Sequence, residues 1–296
     1  MGITAQGAEH ATSWPFDRAA WLVLGLLLFG LSCSVAVLSK SFDTDRALQD
    51  TPIVWFVLIE LAAGLVFLLM ASATIRKKIV SSSLIWLVAA GIGMRLVMMC
   101  STPILEHDYY RYLWDGAVLA NGINPFRYAP AQVAEPGSTV PEGLRNLAAE
   151  SGDLLPKINH PHLRTIYPPV AQAAFAVAYA IKPWSLMAWR CVLALFDLAT
   201  VLLLVRILRT LHLPLCFIAL YWWNPLVIRE IYNTGHMDVV ALPFVLYAVM
   251  LSVQGASIGA AAVLALAVGA KLWPLVLLPV ILSPLRNNPR RLLLSA

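Results

Sequence analysis

The feature that most constrains this chain is a succession of apolar blocks close to the length that crosses a bilayer. They run over about 19–39, 52–74 and 83–104, then 170–182, 185–205, 213–228, 239–253 and 256–283. A helix needs about 20 apolar residues to span the hydrocarbon core. With 60% hydrophobic and only 12% charged residues among 296, the chain lies far from the soluble average of about 45–50% and about 25%. The blocks predict an all-α, polytopic transmembrane helical bundle of about eight to nine spans. The net charge of +5 fits lysine and arginine gathered on the cytoplasmic side. It does not point to nucleic acid, because no basic run is interleaved with stacking aromatics outside the membrane blocks. The first block is too long for a typical signal-peptide core and lacks a basic stretch before it, so it predicts a retained span. Cys33, Cys100, Cys191 and Cys216 are scattered through apolar stretches without a CxxC. They predict buried thiols packed as small hydrophobes.

Basic residues orient the chain. Residues 1–18 form a polar tail, and a charged connector runs over 40–50. Arg76-Lys77-Lys78 follows the second block, and a short basic loop belongs in the cytoplasm. The third block then runs outward, which makes 105–165 an extracytoplasmic loop. Three regions follow: an N-terminal two-span hairpin over 1–82, a transmembrane module over 83–284, and a basic tail or the start of a further span over 285–296. Downstream, simple alternation puts Arg206 and Arg209 outside, against the charge rule. A re-entrant 170–182 puts them inside and brings Gly235-His236-Met237-Asp238 to the face that carries Asp108. In that version 256–283 is two short segments meeting near Lys271, with Arg286, Arg290 and Arg291 inside. We favour it, because short segments are tolerated where protein or a wet cavity covers them.

Glu106-His107-Asp108-Tyr109-Tyr110-Arg111-Tyr112-Leu113-Trp114-Asp115-Gly116 opens the long polar region. Carboxylates at a membrane boundary are costly, which points to function. Glu106 and Asp108 can take a proton from a hydroxyl or hold a divalent cation through hard oxygens. The alternative is a pair of solvated interfacial acids, against which the flanking Tyr109-Tyr110-Arg111-Tyr112 argues. Arg111 stands one turn from Asp108 and can pair with it or with a phosphate. Tyr109 to Leu119 predicts an amphipathic interfacial helix with Tyr and Trp anchors at headgroup depth. Asp115-Gly116 with Asn121 to Phe126 reads as a helix end and turn, or Asp115 has a supporting role. Residues 131–143 predict an exposed loop.

Further along, Asn159-His160-Pro161-His162 offers two histidines that suit metal ligation or a plain interface. His160 and Arg164 stand where a lipid phosphate can be met. Tyr167-Pro168-Pro169 can start a helix. Asn224-Pro225-Leu226 and Gly235 to Asp238 form either a solvated loop or, through His236 and Asp238, part of a shared site. Lys271 sits in an apolar run, where a lysine costs roughly 2.5–3.5 kcal/mol. It either snorkels or faces an anionic headgroup from a cavity.

The string Asp108 to Gly116, followed by Gly122 to Pro130, resembles the GT-C glycosyltransferases, in their bacterial polyprenyl-phosphate-mannose-dependent branch. Tyr167-Pro168-Pro169, Asn224-Pro225-Leu226, Gly235 to Asp238 and Lys271-x-x-Pro274 follow in that branch's order. The resemblance covers roughly 83–284. Two departures stand out: an extra two-span hairpin before the acidic loop, and an end short of the usual C-terminal spans. The resemblance implies a multi-pass enzyme of the plasma (inner) membrane with an extracytoplasmic active site. A sugar, mannose by the family's usual annotation, passes with inversion from a polyprenyl phosphate to a glycan, lipid or protein hydroxyl. Asp108 is the implied base, with Glu106 beside it. Arg111, Tyr112, Asp115, His160, Arg164, Tyr167, His236, Asp238 and Lys271 are the substrate-side residues. No cofactor is required, and a divalent cation is compatible with the two acids. Membrane lipids are partners and nucleic acid is not. Two rival readings remain: a lipid or solute transporter, motivated by Arg95 and Lys271, and a shortened, inactive relative. The first lacks the internal symmetry of transporters.

Overall fold

A computed structural model of the chain describes residues 15–42, 48–76, 84–135 and 137–282. Lys77, Lys78, Pro136, Arg286, Arg290 and Arg291 lie outside them, and with them the expected basic loop and tail. Among the described residues every regular element is helical. Three helices open the bundle: the long α1 (Pro15–Ser39) and α2 (Ile53–Arg76), and the shorter α3 (Leu84–Met99). The long polar loop follows, with α4 (Asp108–Ala120), α5 (Pro130–Ala134) and α6 (Glu142–Glu150). Then come α7 (Pro169–Ile181) and α8 (Leu186–Thr210), the short α9 (Ala219–Trp222) and α10 (Pro225–Ile228), and last α11 (Leu242–Val253), α12 (Ser257–Ala270) and α13 (Leu278–Leu282).

Three helical stretches are long and apolar enough to cross a membrane: Ala19–Ser39, Ile53–Ile75 and Leu186–Thr210. A fourth candidate is the pair Pro225–Asn233 and Met237–Val253, bent by 101° at their junction. The remaining apolar helices, α3, α7 and α12, have 16, 13 and 14 residues. At 1.5 Å per residue they reach roughly 20–24 Å, short of a core about 30 Å thick. Among the described residues, three helices, or four if the bent pair is one span, are long and apolar enough to cross a membrane, against the eight to nine expected. The outer sides of α1 and α2 stay apolar and uncovered, with Leu61, Leu65 and Leu68 all above 60% exposed. That is the surface a lipid-facing helix presents, since lipid tails are as apolar as leucine.

Several boundaries differ from the sequence expectation. The third block stops as a helix at Met99, and residues 100–104 leave it through a turn and form an irregular strap. Arg206 and Arg209 ride on the last turns of α8 rather than in a loop. Block 213–228 is broken by a 3-10 turn and by Asn224-Pro225, whose asparagine side chain accepts from the Leu226 and Val227 amides. Residues 130–134 of the expected loop are helical, started by Pro130. Block 256–283 breaks at Lys271, and Pro169 does start α7. Cys100 and Cys191 are exposed rather than buried.

The largest difference concerns α4. Its aromatic face is not an interfacial belt: Tyr109, Tyr112 and Trp114 are buried. Gly116 lies inside this helix, not at its end. A Cβ there would stand 2.4 Å from the Phe175 carbonyl oxygen, so only glycine lets α4 press onto the α7 backbone. Tyr112 then stacks on Phe175 with centroids 4.8 Å apart, and meets Tyr167 and Trp189 edge-on.

Two polar clusters tie the bundle inside. Arg95 on α3 donates to Asp197 on α8 at 2.7 Å, and Tyr221 and Tyr232 donate to the same carboxylate at 2.7 and 2.8 Å. The Arg95 guanidinium also lies over the Trp222 ring, 3.3 Å from its centroid. Nearer the long polar loop, Arg190 on α8 donates to the carbonyls of Met99, Ser101 and Asn233. The Asn233 amide bonds Ser101 Oγ and the Thr102 carbonyl, and its oxygen accepts from the Ile104 amide. These contacts hold strap 100–104 and so aim the residues that follow.

Candidate active site

The strap delivers the chain to Leu105, which adopts φ 54°. A leucine in the left-handed region is strained by about 1–3 kcal/mol, a cost met only where the surroundings over-determine the backbone. Immediately after it, Glu106 turns its carboxylate back on the chain. Oε1 accepts from the amides of His107 and Asp108 at 2.9 and 2.7 Å. Oε2 meets His236 Nε2 at 2.9 Å. Burial raises the Glu106 carboxyl, but His236 and the two amides outweigh it and leave it below its ordinary value.

Asp108 begins α4, where the helix dipole favours negative charge. Its side chain meets the Asn159 amide, 3.5 Å from Oδ1. That is at the limit of hydrogen-bonding distance.

His236 comes from the corner between α10 and α11. Residues Arg229–Asn233 form a π-helical turn, a geometry common at functional sites. Gly235 takes φ +74°, which glycine adopts without strain. The chain thus reverses and presents His236 outside the helical segments on either side. Its Nδ1 lies against the Glu230 carboxylate, with Thr234 Oγ1 3.3 Å away. Hydrogen bonds from Glu106 and Glu230 push the imidazole up to about 10, against the opposing pull of burial. Glu230 also meets the Arg229 guanidinium, which approaches Glu60 of α2 at 3.9 Å.

Donor atoms of Glu106, Asp108 and His236 all lie within 4.8 Å of one another. With no cation between them, both His236 nitrogens face carboxylates, which favours the doubly protonated ring.

The other sequence candidates divide in two. Arg111 does not pair with Asp108. It is buried, donates to Asp115 at 2.9 Å and to the Leu163 carbonyl at 3.0 Å, and so is spent on the fold. Asp115 also accepts from Gln172 at 3.1 Å, and Gln172 donates to Thr165. Burial nonetheless keeps the Asp115 carboxyl above its ordinary value, despite Arg111. Tyr112 belongs to the aromatic packing under α4. Tyr167 touches it edge-on, and burial together with the Asp108 charge raises both phenols.

His160 and Arg164 are exposed on the turn that begins at Asn159, the Asp108 partner. Lys271 donates to Asp238 at 3.0 Å, and both are more than a third exposed. Asp238 stands two residues beyond His236 in the chain. Trp273, just past Lys271, is also exposed. Glu230 and Arg229 were not among the sequence candidates. An Arg–Glu pair inside an apolar run was the available signal, since ionisable residues in such segments are functional by default.

The arrangement offers one carboxylate with a single long contact, one carboxylate locked in place, and an ammonium paired with the acid two residues past His236. Residues 19–285 match the model of the family described as Alpha-(1->6)-mannopyranosyltransferase, N-terminal domain. No curated protein and no solved structure matches the chain. The match covers most of the sequence, including the acidic loop, the corner and the Lys271 break, and agrees with the GT-C resemblance read from the motifs. The chain therefore belongs to the α-(1→6)-mannopyranosyltransferase family, and is a membrane glycosyltransferase of the mannosyl-transferring kind.

Proposed function

We propose that the protein transfers mannose from a polyprenyl phosphate to an acceptor hydroxyl on the extracytoplasmic face of the plasma membrane, with Asp108 as the base. Asp108 Oδ takes the acceptor proton as the oxygen attacks the anomeric carbon. The C1–O bond to the phosphate breaks, and its electron pair leaves with the lipid phosphate. A single in-line displacement of this kind needs one base on the face opposite the leaving group. It inverts C1, so an α product requires a β-linked donor. The linkage in the family's description makes a primary 6-hydroxyl the acceptor group.

The observation that carries this reading is the unequal state of the loop's carboxylates. Glu106 and Asp115 are each held by several donors, while Asp108 keeps one long contact. A base needs free lone pairs within reach of its substrate: Asp115 is buried, Glu106 is bound by three donors, and Asp108 is the least engaged of the three. Charge developing on the departing phosphate calls for cations. Lys271 and Arg164 are the exposed candidates, with His160 beside Arg164 as a further donor. Arg111 is withdrawn from this role by Asp115.

The test is transfer of labelled mannose from a polyprenyl-phosphate donor to a mannose-containing acceptor by the purified full chain. Wild-type protein should form product and Asp108→Asn should not. Transfer by Asp108→Asn at the wild-type rate would remove Asp108 as the base.

A further inference from the structure

Glu230 belongs to none of the motifs that mark the acidic loop, yet it makes more contacts to the His236 corner than any residue of that loop. Its backbone carbonyl accepts from the His236 amide at 2.8 Å and from Thr234 Oγ1 at 2.7 Å. Its side chain faces His236 Nδ1. The residue thus sets both where the corner runs and how the imidazole is turned. His236 passes that orientation on through Nε2 to Glu106 Oε2. Glu106 in turn grips the amide of Asp108 with its other oxygen at 2.7 Å. A continuous line of side chains thereby joins the π-helical turn after α10 to the first residue of α4, some 120 positions earlier in sequence.

We propose that Glu230 is a positioning residue: through His236 it locks Glu106, and so holds the turn that presents Asp108 to the acceptor. The inference rests on the reading of Asp108 as base. Both carboxylates bracket the ring, so both nitrogens carry protons and His236 serves as a cationic strut rather than a proton acceptor. The charged groups around it are Glu106 and Asp108 from the loop, Glu230 and Arg229 from its own turn, Glu60 behind Arg229, and the Asp238–Lys271 pair beyond the corner. Removing the Glu230 charge leaves one carboxylate to hold the ring and frees Glu106 to swing. Outer partners of this kind change activity by about 10–100-fold when lost.

The experiment uses the full chain in detergent and the variants Glu230→Gln and Glu230→Asp. Glu230→Gln should lower kcat about 10–100-fold with the donor KM within about twofold, and Glu230→Asp should recover part of the loss. Nitrogen-15 NMR of labelled histidines reads the strut without any substrate, with the His236 signal assigned by its loss in His236→Asn. In wild type the ring should remain doubly protonated at pH 8, and in Glu230→Gln it should titrate at a lower pH. Unchanged kcat in Glu230→Gln, or an unmoved His236 titration, would overturn the proposal. Asp108→Asn is the control: full transfer by that variant, or none by wild type, defeats the catalytic reading while the NMR titration still decides the strut.

Discussion

Two polar clusters in this molecule have similar ingredients and opposite character. In the bundle interior, Asp197 receives Arg95, Tyr221 and Tyr232, and all four lie among packed apolar side chains. In the polar loop, Glu106 is bound by three donors, but among the described residues Asp108 two positions away meets only the Asn159 amide. The interior carboxylate is taken up by three donors and holds helices together, with Arg95 Nη2 its one unmet donor. In the loop, Glu106 is bound while the neighbouring Asp108 is nearly free. Charge inside an apolar chain therefore marks function only where some of its bonding capacity is left over, and counting partners separates the two cases.

Substitutions can break that distinction. The largest effect should come from Asp108→Asn, which should cut mannosyl transfer by about 10³-fold while the thermal midpoint of unfolding stays at the wild-type value. Next, Asp197→Ala should leave Arg95 buried without a counter-charge. That should destabilise the bundle by about 3–5 kcal/mol, seen as loss of folded yield and a lower unfolding temperature. If Asp197→Ala folded normally and lost only catalysis, the two clusters would have been assigned the wrong way round. Gly116→Ala should cost about 1–3 kcal/mol by forcing α4 off the Phe175 carbonyl, measurable as a downward shift in the same melt.

A pH series sharpens the comparison further. Glu106 is held below its ordinary 4.5, so its stabilisation is present above that pH and is lost as the pH falls through the lowered value. His236 is raised from 6.5 to about 10, so its contribution is full below 6.5 and is lost as the pH rises to about 10. Melting temperature should accordingly be highest between those two ordinary values and decline on both sides, with the alkaline decline absent in His236→Asn. The smallest effect on stability should be that of Lys271→Met. Its ion pair with Asp238 is open to solvent, and exposed pairs contribute about 0–1 kcal/mol. The same variant should raise the donor KM if Lys271 meets the phosphate.

The membrane character of the chain and the place of its acidic loop were legible because both are local signals. Long apolar blocks and closely spaced acids need no knowledge of distant residues. The role of Arg111 was not legible: Asp108 lies three residues before it and Asp115 four after, and both spacings suit a helical ion pair. Gln172 and the Leu163 carbonyl decide between them, and both come from later in the chain. The burial of α4 was hidden for the same reason, since an aromatic helix suits a headgroup belt until Gly116 finds its place on α7. Glu230 lay furthest from view, because its meaning depends on a corner that folds back onto a loop more than a hundred residues earlier.

Asn233 has a consequence for how this chain can drift. Its amide and carbonyl, with Arg190 alongside, grip strap 100–104 largely by the main chain, at Met99 O, Ser101 O, Thr102 O and Ile104 N. Grip on peptide groups ignores what side chain each position carries. Thr102 should thus accept varied replacements, while Asn233 and Arg190, two staples outside the loop they secure, should accept almost none.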